Sequence, residues 1–277
     1  MTSFIAAAIQ MDSQDDKRAN LAAAEGYIRE AAAGGAQLVV LPESMNYIGR
    51  NMAQEAESIP EGPTFQRLSS LARELGLWLE AGSIYERNPE DPDRPFNTAF
   101  LVDPRGLMVA KYSKLHPFDV VLPNGVTSRE SDRVAPGHAV VTVDTEWFRA
   151  GMAICYDIRF PEMFRLMALE GARLFLVPAN FTVNTGKDHW EILLRARAIE
   201  NECYVVAANQ MGKKPRFTAY GNSMIIDPWG TVIARSSDKP GIILAEIDPE
   251  YVTQVRQSTF TLDNRRPDVY ELNKKRL

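Results

Sequence analysis

The fold is decided by one stretch of sequence, Ala150-Gly151-Met152-Ala153-Ile154-Cys155-Tyr156-Asp157-Ile158-Arg159-Phe160-Pro161. Its first five residues are small or apolar, which is typical of a buried strand. Pro161 predicts the first turn of a helix, because the N–H that proline lacks would have no helical partner there. Cys155 is therefore expected at a strand-to-helix turn, where its side chain and nearby backbone N–H groups are available for chemistry at a sheet edge.

Strand and helix patterns alternate on both sides of this stretch. Apolar runs typical of buried strands fall at 4–10, 37–41, 77–84, 96–102, 107–112, 139–143, 150–155, 173–178, 203–209, 220–226, 231–234 and 241–247. Helical patterns fall at 16–33, 63–75, 161–170 and 187–200. Runs that are apolar on both faces indicate sheets covered on both sides. The order predicts an α/β or α+β layered sheet protein.

No linker or repeat divides the 277 residues, so we predict one domain over 1–277, with about 258–277 as an extended polar tail. The composition, 45% hydrophobic and 24% charged, is that of an ordinary globular protein. A net charge of −5 without a basic stripe argues against nucleic-acid binding. The short basic patch Lys213, Lys214 and Arg216 is interpreted as a solvated loop.

The first apolar run, 4–10, is too short for a signal-peptide core or a membrane span. Cys155 and Cys203 do not have the spacing of a disulfide framework or a zinc site. We therefore expect a soluble protein in the reducing cytoplasm, without a membrane partner.

Cys155 has two interpretations from the residues alone. It is a nucleophile if an adjacent base or a lowered pKa activates the thiol, and otherwise a buried structural cysteine. The available imidazole bases are His116, His138 and His189, and none forms a known local signature with the cysteine. Cys203 lies inside an apolar run and is interpreted as structural.

Three charged residues offer a second route to activation. Glu43 follows the apolar run 37–41, at the carboxyl end of a predicted strand, where the sites of α/β proteins usually lie. Lys114 follows another predicted strand, and Glu130 lies between Lys114 and Cys155. Taken singly, each of the three would be interpreted as a solvated charge.

In this order the residues resemble the nitrilase superfamily over essentially the whole chain, most closely the branch with omega-amidases and deaminated-glutathione amidases. The matching stretches are Leu41-Pro42-Glu43-Ser44, Tyr112-Ser113-Lys114-Leu115-His116-Pro117-Phe118-Asp119, Gly151–Glu162, His189-Trp190-Glu191, Arg195-Ala196-Arg197-Ala198-Ile199-Glu200-Asn201 and Asp227-Pro228-Trp229-Gly230-Thr231. The resemblance implies a four-layer α-β-β-α sandwich. It also implies a cysteine-dependent amidase that hydrolyses a small linear amide to a carboxylate and ammonia, omega-amidase-like on a carboxylate-bearing substrate.

The resemblance assigns Glu43 as general base, Lys114 as cation and Cys155 as nucleophile, and it matches Glu130 to the second glutamate of the family. The backbone N–H of Tyr156 is expected to stabilise the oxyanion together with Lys114. This mechanism requires neither a cofactor nor a metal. Family members commonly dimerise, so a homodimer or a higher homo-oligomer is expected, formed by helix 187–200 and the segment after Cys155.

Substrate contacts are expected, by the same resemblance, from Tyr47, Phe118, Arg159, Asn180, Phe181 and Thr185. For Arg159 an ion pair with Asp157 at the elbow is the favoured interpretation. Two departures from the family pattern bear on the substrate. Lys187 and Asp188 add charges that we expect near the pocket rim, and Asn222 stands where relatives often have histidine.

Four other functions remain open at this point. The same scaffold supports a nitrilase or an N-carbamoyl hydrolase, which differ from an amidase in substrate and products. A catalytically idle binding protein would not require Glu43, Lys114, Glu130 and Cys155 together. A papain-like Cys–His hydrolase would depend on a histidine and not on Glu43.

Overall fold

The computed structural model describes residues 2–121 and 127–275. Its strands are Phe4–Gln10 (β1), Leu38–Val40 (β2), Trp78–Glu86 (β3), Phe96–Val102 (β4), Met108–Ser113 (β5), Asp119–Val121 (β6), Thr127–Arg129 (β7), Thr142–Asp144 (β8), Arg149–Met152 (β9), Leu174–Ala179 (β10), Tyr204–Asn209 (β11), Met211–Lys213 (β12), Thr218–Tyr220 (β13), Met224–Ile226 (β14), Val232–Arg235 (β15) and Gly241–Ile247 (β16). The helices are Lys17–Ala33 (α1), Pro63–Leu75 (α2), Pro161–Leu169 (α3), Val183–Thr185 (α4), Glu191–Asn201 (α5) and Pro249–Thr259 (α6), with 3₁₀ turns at Glu130–Asp132 and Cys155–Arg159 and a π-helical turn at Gly186–Trp190.

Local sequence signals account for most of these boundaries. Asp16 caps α1 by accepting a hydrogen bond from the N–H of Ala19 at 3.0 Å, and α2 and α3 each begin with proline. The predicted strand 220–226 is instead interrupted between β13 and β14. Gly221 and Asn222 both have positive φ there, which turns the chain out of the extended conformation.

Two six-stranded sheets form the centre of the fold, in the orders β16-β1-β2-β3-β4-β5 and β15-β14-β11-β10-β9-β8. Side chains alternate across β1, so Ala6 and Ala8 belong to the core shared with the second sheet. Ala7 and Ile9 belong instead to the core that α1 and α2 cover. Helices α3 and α5 pack on the second sheet through their buried apolar residues. The four-layer α-β-β-α sandwich is therefore confirmed.

The sandwich brings the loop after β2 against the end of β10. The N–H of Glu43 donates to the carbonyl oxygen of Ala179 at 3.3 Å, which joins the two sheets at this edge. Gly82 in β3 makes the approach possible, since a Cβ atom on it would lie 2.1 Å from the carbonyl oxygen of Pro42. Glu43 is thus fixed at the border between the sheets.

The interpretation of the patch at Lys213, Lys214 and Arg216 as a solvated loop is wrong for Lys214. Its ammonium group is buried and donates to Asp12 Oδ1 at 2.8 Å and to the carbonyl oxygen of Ser13 at 2.9 Å. Lys214 thereby anchors the turn between β12 and β13 to the chain after β1.

Within residues 2–121 and 127–275, no helix is long and apolar enough to cross a membrane. Past α6 the chain forms turns without further helices or strands as far as residue 275. The description of the chain as one domain remains a prediction.

Candidate active site

Cys155 opens the 3₁₀ turn that follows β9, at the predicted strand-to-helix elbow. Its backbone φ is 50°, a left-handed conformation that costs a non-glycine residue roughly 1–3 kcal/mol. Such strain is common where a nucleophile is held out from a sheet edge. The side chain is nearly buried, with 7% of the residue exposed, and it lines the floor of a cavity.

Glu43 is buried beside Cys155 and is held through both carboxylate oxygens. Oε1 accepts hydrogen bonds from Asn97 Nδ2 at 2.8 Å and from Lys114 Nζ at 2.9 Å. Oε2 accepts one from the backbone N–H of Asn180 at 2.8 Å. Three donors therefore fix the carboxylate in one orientation, which a general base requires.

Lys114 lies between two carboxylates. Its ammonium group is 2.9 Å from Glu43 Oε1 and 2.9 Å from Glu130 Oε2, and its side chain is almost fully buried. Glu130 begins a 3₁₀ turn, and its Oε2 also accepts a hydrogen bond from the backbone N–H of Phe118. The predicted Glu43, Lys114, Glu130 and Cys155 thus all come together in the structure.

The charges in this cluster shift two pKa values. Burial lowers the pKa of Lys114, but the charges of Glu130 and Glu43 outweigh burial, so the pKa lies well above its ordinary value and the ammonium stays protonated. Burial, followed by the negative charge of Glu43, raises the pKa of Cys155 well above its ordinary value, although Lys114 and the N–H of Asn180 oppose the shift. The resting nucleophile is a neutral thiol that needs a base.

The elbow is held by Asp157 rather than by an arginine. Asp157 Oδ2 accepts from the N–H of Ile154 at 2.8 Å and from the hydroxyl of Tyr112 at 2.6 Å, while Oδ1 is 2.7 Å from His116 Nδ1. The favoured ion pair between Arg159 and Asp157 is wrong, because these partners already occupy the carboxylate.

The guanidinium of Arg159 lies elsewhere. Its NH1 and NH2 atoms are each 3.2 Å from His189 Nδ1, and its Cζ lies 5.6 Å and 5.4 Å from the ring centroids of Tyr156 and Phe181. Arg159 therefore packs behind two aromatic residues that do line the cavity.

All three histidines lie within the described residues, and none lines the cavity that contains Cys155. His116 stacks on Phe160 with ring centroids 3.6 Å apart, and His138 meets the ring of Phe96 edge-on. His189 contacts Arg159. This placement argues against a papain-like Cys–His pair.

The cavity has a volume of about 510 Å³, within the usual range for small-molecule sites. Of the predicted substrate contacts, it is lined by Phe118, Asn180, Phe181 and Thr185, and also by Tyr156. Tyr47 does not line it, because this buried side chain lies under its own loop and accepts a hydrogen bond from the N–H of Asn51 at 3.2 Å.

The two departures from the family pattern also lie away from the cavity. Lys187 and Asp188 are exposed on the π-helical turn and do not line it, so their expected place at the rim is wrong. Asn222 Oδ1 accepts from Arg235 NH2 at 2.8 Å, and the Asn222 carbonyl oxygen accepts from Trp190 Nε1 at 2.8 Å. Asn222 is therefore a support for the helix that begins near Trp190.

Two residues of the site were missed in the sequence. The side-chain amide of Asn97 donates a hydrogen bond to Glu43. The backbone carbonyl oxygen of Asn97 accepts a hydrogen bond from the backbone N–H of Lys114 at 2.8 Å. A hairpin of 96–102 with 107–112 would have placed Asn97 near Lys114. Tyr85 also lines the cavity, and burial, reinforced by the charges of Glu130 and Glu43, raises its pKa to about 12. No local signal distinguished Tyr85 from other strand tyrosines.

Within the part of the chain that the structure describes, no three His, Cys, Asp or Glu side chains are grouped as metal ligands. The polar groups of the cavity floor are instead hydrogen-bonded to one another around Lys114.

Comparison with known proteins places this geometry in a family. A family model described as carbon–nitrogen hydrolase matches residues 5–257. The chain belongs to the carbon–nitrogen hydrolase family. Membership and the relatives below make it an enzyme, an amidase-type carbon–nitrogen hydrolase of the nitrilase superfamily.

Three relatives illustrate the similarity. Deaminated glutathione amidase of Homo sapiens is 42% identical over 272 residues, which cover 96% of this chain and 83% of that protein. The omega-amidase of Homo sapiens is 38% identical over 279 residues, covering 100% of both chains. The nitrilase and fragile histidine triad fusion protein of Caenorhabditis elegans is 40% identical over 271 residues. These residues cover 96% of this chain but only 62% of the fusion protein.

Solved structures of related proteins have the same fold. The crystal structure of the Caenorhabditis elegans fusion protein superposes with a TM-score of 0.90 at 39% identity, covering 98% of this chain and 66% of that one. An amidase from Nesterenkonia superposes with a TM-score of 0.79 at 25% identity, covering 96% of this chain and 95% of that one. That structure is of a glutamate-to-glutamine mutant with an acetamide moiety covalently added at the active-site cysteine.

Proposed function

We propose that this enzyme hydrolyses a small linear amide to a carboxylate and ammonia through a thioester on Cys155. The observation that carries the proposal is the buried cluster of Glu43, Lys114 and Cys155, in which a fixed carboxylate and a permanent cation flank a neutral thiol. The covalently modified cysteine of the Nesterenkonia amidase supports the same role for Cys155.

Each step uses a group of this cluster. Glu43 removes the thiol proton as Cys155 attacks the amide carbon. Lys114 and the backbone N–H of Tyr156 stabilise the oxyanion of the tetrahedral intermediate. Glu43 then returns the proton to the departing ammonia, and later takes a proton from the water that hydrolyses the thioester.

Glu130 acts as a positioning residue for this chemistry. It holds the second side of the Lys114 ammonium at 2.9 Å, and its bond from the N–H of Phe118 ties the lysine to the cavity wall. Two carboxylates around one buried cation keep that cation charged. We propose that the substrate is contacted by Phe118, Asn180, Phe181 and Thr185, which line the cavity. Tyr47 and Arg159 do not line it and would affect the substrate only by supporting residues that do.

A substrate that carries a carboxylate is proposed from the relatives. Two of them are named for omega-amidase activity and for action on deaminated glutathione. The cytoplasmic location also remains a proposal, which rests on the absence of a disulfide spacing between the two cysteines.

A homodimer is proposed through α5 and its surroundings. Ile192, Ile199 and Trp229 are large apolar side chains on this side of the second sheet, each about half exposed or more. Apolar side chains grouped on one surface commonly mark an interface. Light scattering of the purified protein and of an Ile192→Glu variant tests this. We expect the native protein to have twice the mass of one chain and the variant to have the mass of one chain.

Ammonia release from amides, nitriles and N-carbamoyl amino acids tests the reaction. We expect release from amides by the native enzyme, none by Cys155→Ala, and release by Cys203→Ala, the matched replacement of the other buried cysteine. Turnover of nitriles alone, or of carbamoyl compounds with carbon dioxide among the products, would replace the amidase proposal with one of the two alternatives. Equal release by native and Cys155→Ala protein would refute the role of Cys155.

A further inference from the structure

Three arginines line the same cavity as the reactive cluster. Arg129 ends β7 and Arg133 follows the 3₁₀ turn that begins at Glu130, so the segment that supplies Glu130 also supplies two guanidinium groups. Arg216 comes from the turn between β12 and β13, which buried Lys214 anchors. The segment 129–133 and the turn between β12 and β13 therefore both contribute arginines to the opening of the cavity.

The exposure of the cavity residues decreases from the arginines to the catalytic cluster. Arg129 and Arg216 are exposed and Arg133 is half-buried, whereas Glu43 and Cys155 are buried. Arg133 also lines a shallow depression next to the cavity, together with Arg50. The arginines thus form a rim, and the nucleophile lies below it.

In the part of the chain that the structure describes, none of the rim arginines forms an ion pair with a carboxylate; Asp119, which lies opposite Arg129 across β6 and β7, accepts hydrogen bonds from Ser131 instead. Among the described residues, most other arginines bond to a carboxylate or a carbonyl oxygen, but no ion pair includes Arg50, Arg129, Arg133 or Arg216. Residues 122–126 contain neither Asp nor Glu, so they cannot supply an acidic side chain. Asp93, which lines the adjacent depression, also forms no ion pair with them among the described residues.

The charge balance of the cavity is accordingly positive. Its lining contains four cations, Lys114 and the three rim arginines, and two carboxylates, Glu43 and Glu130, which Lys114 already engages. Burial, and then the positive charges of Arg133 and Arg50, lower the pKa of Arg216. Like charges held together in this way gain most from a bound anion, and guanidinium groups suit carboxylates and phosphates because they donate bidentate hydrogen bonds.

We propose that Arg129, Arg133 and Arg216 form a distal anion subsite that selects amides whose far end carries two negative charges, as two carboxylates or one phosphate group. The inference rests on the proposed amidase function and deepens it by naming the specificity-determining residues. A volume of about 510 Å³ leaves space for a substrate that reaches from Cys155 to the rim.

The test compares amides of matched chain length that end in a methyl group, one carboxylate, two carboxylates or a phosphonate. We expect kcat/KM of the native enzyme to rise in that order of charge, with the carboxylate and phosphonate arms distinguishing the two anion types. The gain should lie mainly in KM and should shrink as salt is raised from about 0.01 to about 0.15 M, because salt screens exposed charges.

Substitutions locate the effect. Arg133→Gln and Arg216→Gln should each reduce the preference for dianionic over neutral amides by about tenfold, the size of one charge-assisted hydrogen bond. Arg18→Gln, at an exposed arginine of α1 that also lacks an ion pair among the described residues, is the matched control and should keep the native preference.

The outcomes separate the two proposals. Hydrolysis of neutral amides with no gain from either added charge would overturn the subsite and leave the amidase intact, as would an equal loss of preference in Arg18→Gln and Arg216→Gln. No hydrolysis of any amide, while nitriles or carbamoyl compounds are turned over, would instead overturn the amidase function.

Discussion

Glu43→Gln is the substitution that most directly tests the proposed chemistry. It keeps the shape of the side chain but removes both the negative charge and the ability to accept the thiol proton. General-base catalysis is typically worth about 10²–10⁴ in rate, so we expect kcat/KM for amides to fall by that factor. The pKa of Lys114 should also fall, because one of its two carboxylate neighbours becomes neutral.

The structure also predicts the cost in stability. The Glu43 carboxylate accepts hydrogen bonds from Asn97, Lys114 and the N–H of Asn180. A glutamine has one acceptor oxygen, so its NH₂ group must face one of these donors, and a buried donor left without a partner costs about 1–3 kcal/mol. The variant should therefore fold with reduced stability, and activity has to be compared on protein shown to be folded.

The assay is ammonia release under saturating and limiting substrate, with thermal unfolding of the same samples. Glu130→Gln is the control, because it removes the other carboxylate next to Lys114 but leaves the proposed base in place. We expect Glu130→Gln to lose less activity than Glu43→Gln, because the proposed base and its hydrogen bonds remain. Folded Glu43→Gln enzyme that keeps more than about a tenth of native kcat/KM would refute the mechanism.

Lys114→Met should lose about 10²–10³ in kcat, since it removes an oxyanion donor, and urea unfolding should show a loss of about 3–5 kcal/mol because the buried Glu43 and the partly buried Glu130 lose their cation. A stable, active Lys114→Met enzyme would contradict both assignments. Asp157→Asn should lower stability by about 1–3 kcal/mol and reduce kcat, because one of the donors on Asp157, such as the N–H of Ile154, loses its acceptor; an unchanged kcat would show that the elbow does not need this carboxylate. Glu80 is buried, and burial raises its pKa well above its ordinary value despite the N–H of Gly82, so its contribution to stability is present at low pH and lost as pH rises through the raised pKa. Glu80→Gln should therefore weaken the fall in unfolding free energy as pH rises above the ordinary pKa of a glutamate, and parallel pH curves for the two proteins would contradict the assignment.

The helices and strands could be predicted because their signals are local. Pro63 and Pro161 marked helix starts, and the apolar runs at 4–10, 96–102 and 241–247 coincide with β1, β4 and β16. The same locality explains the failure at 220–226, where an apolar strand pattern contained Gly221 and Asn222, and their positive φ values were not visible in it.

The candidate catalytic residues could be predicted only in combination. Glu43, Lys114 and Cys155 each follow a strand, but each alone has the appearance of a solvated or buried residue. Their order along the chain, matched to a known family, is what indicated a common site. The wrong ion pair of Arg159 shows the limit of this reasoning, since proximity in sequence to Asp157 did not decide which partner the carboxylate takes.

By itself, then, the sequence determined the layered α/β class, the strand-to-helix elbow at Cys155 and the residue types of a thiol hydrolase. The tertiary structure alone decided that Asn97 and the N–H of Asn180 orient Glu43, and that Arg129, Arg133 and Arg216 share a rim above the nucleophile. The physical reason is that hydrophobic periodicity and turn chemistry act over a few neighbouring residues. Hydrogen bonds and charge clusters between distant segments depend instead on how the two sheets pack and on which groups this packing brings within hydrogen-bonding distance.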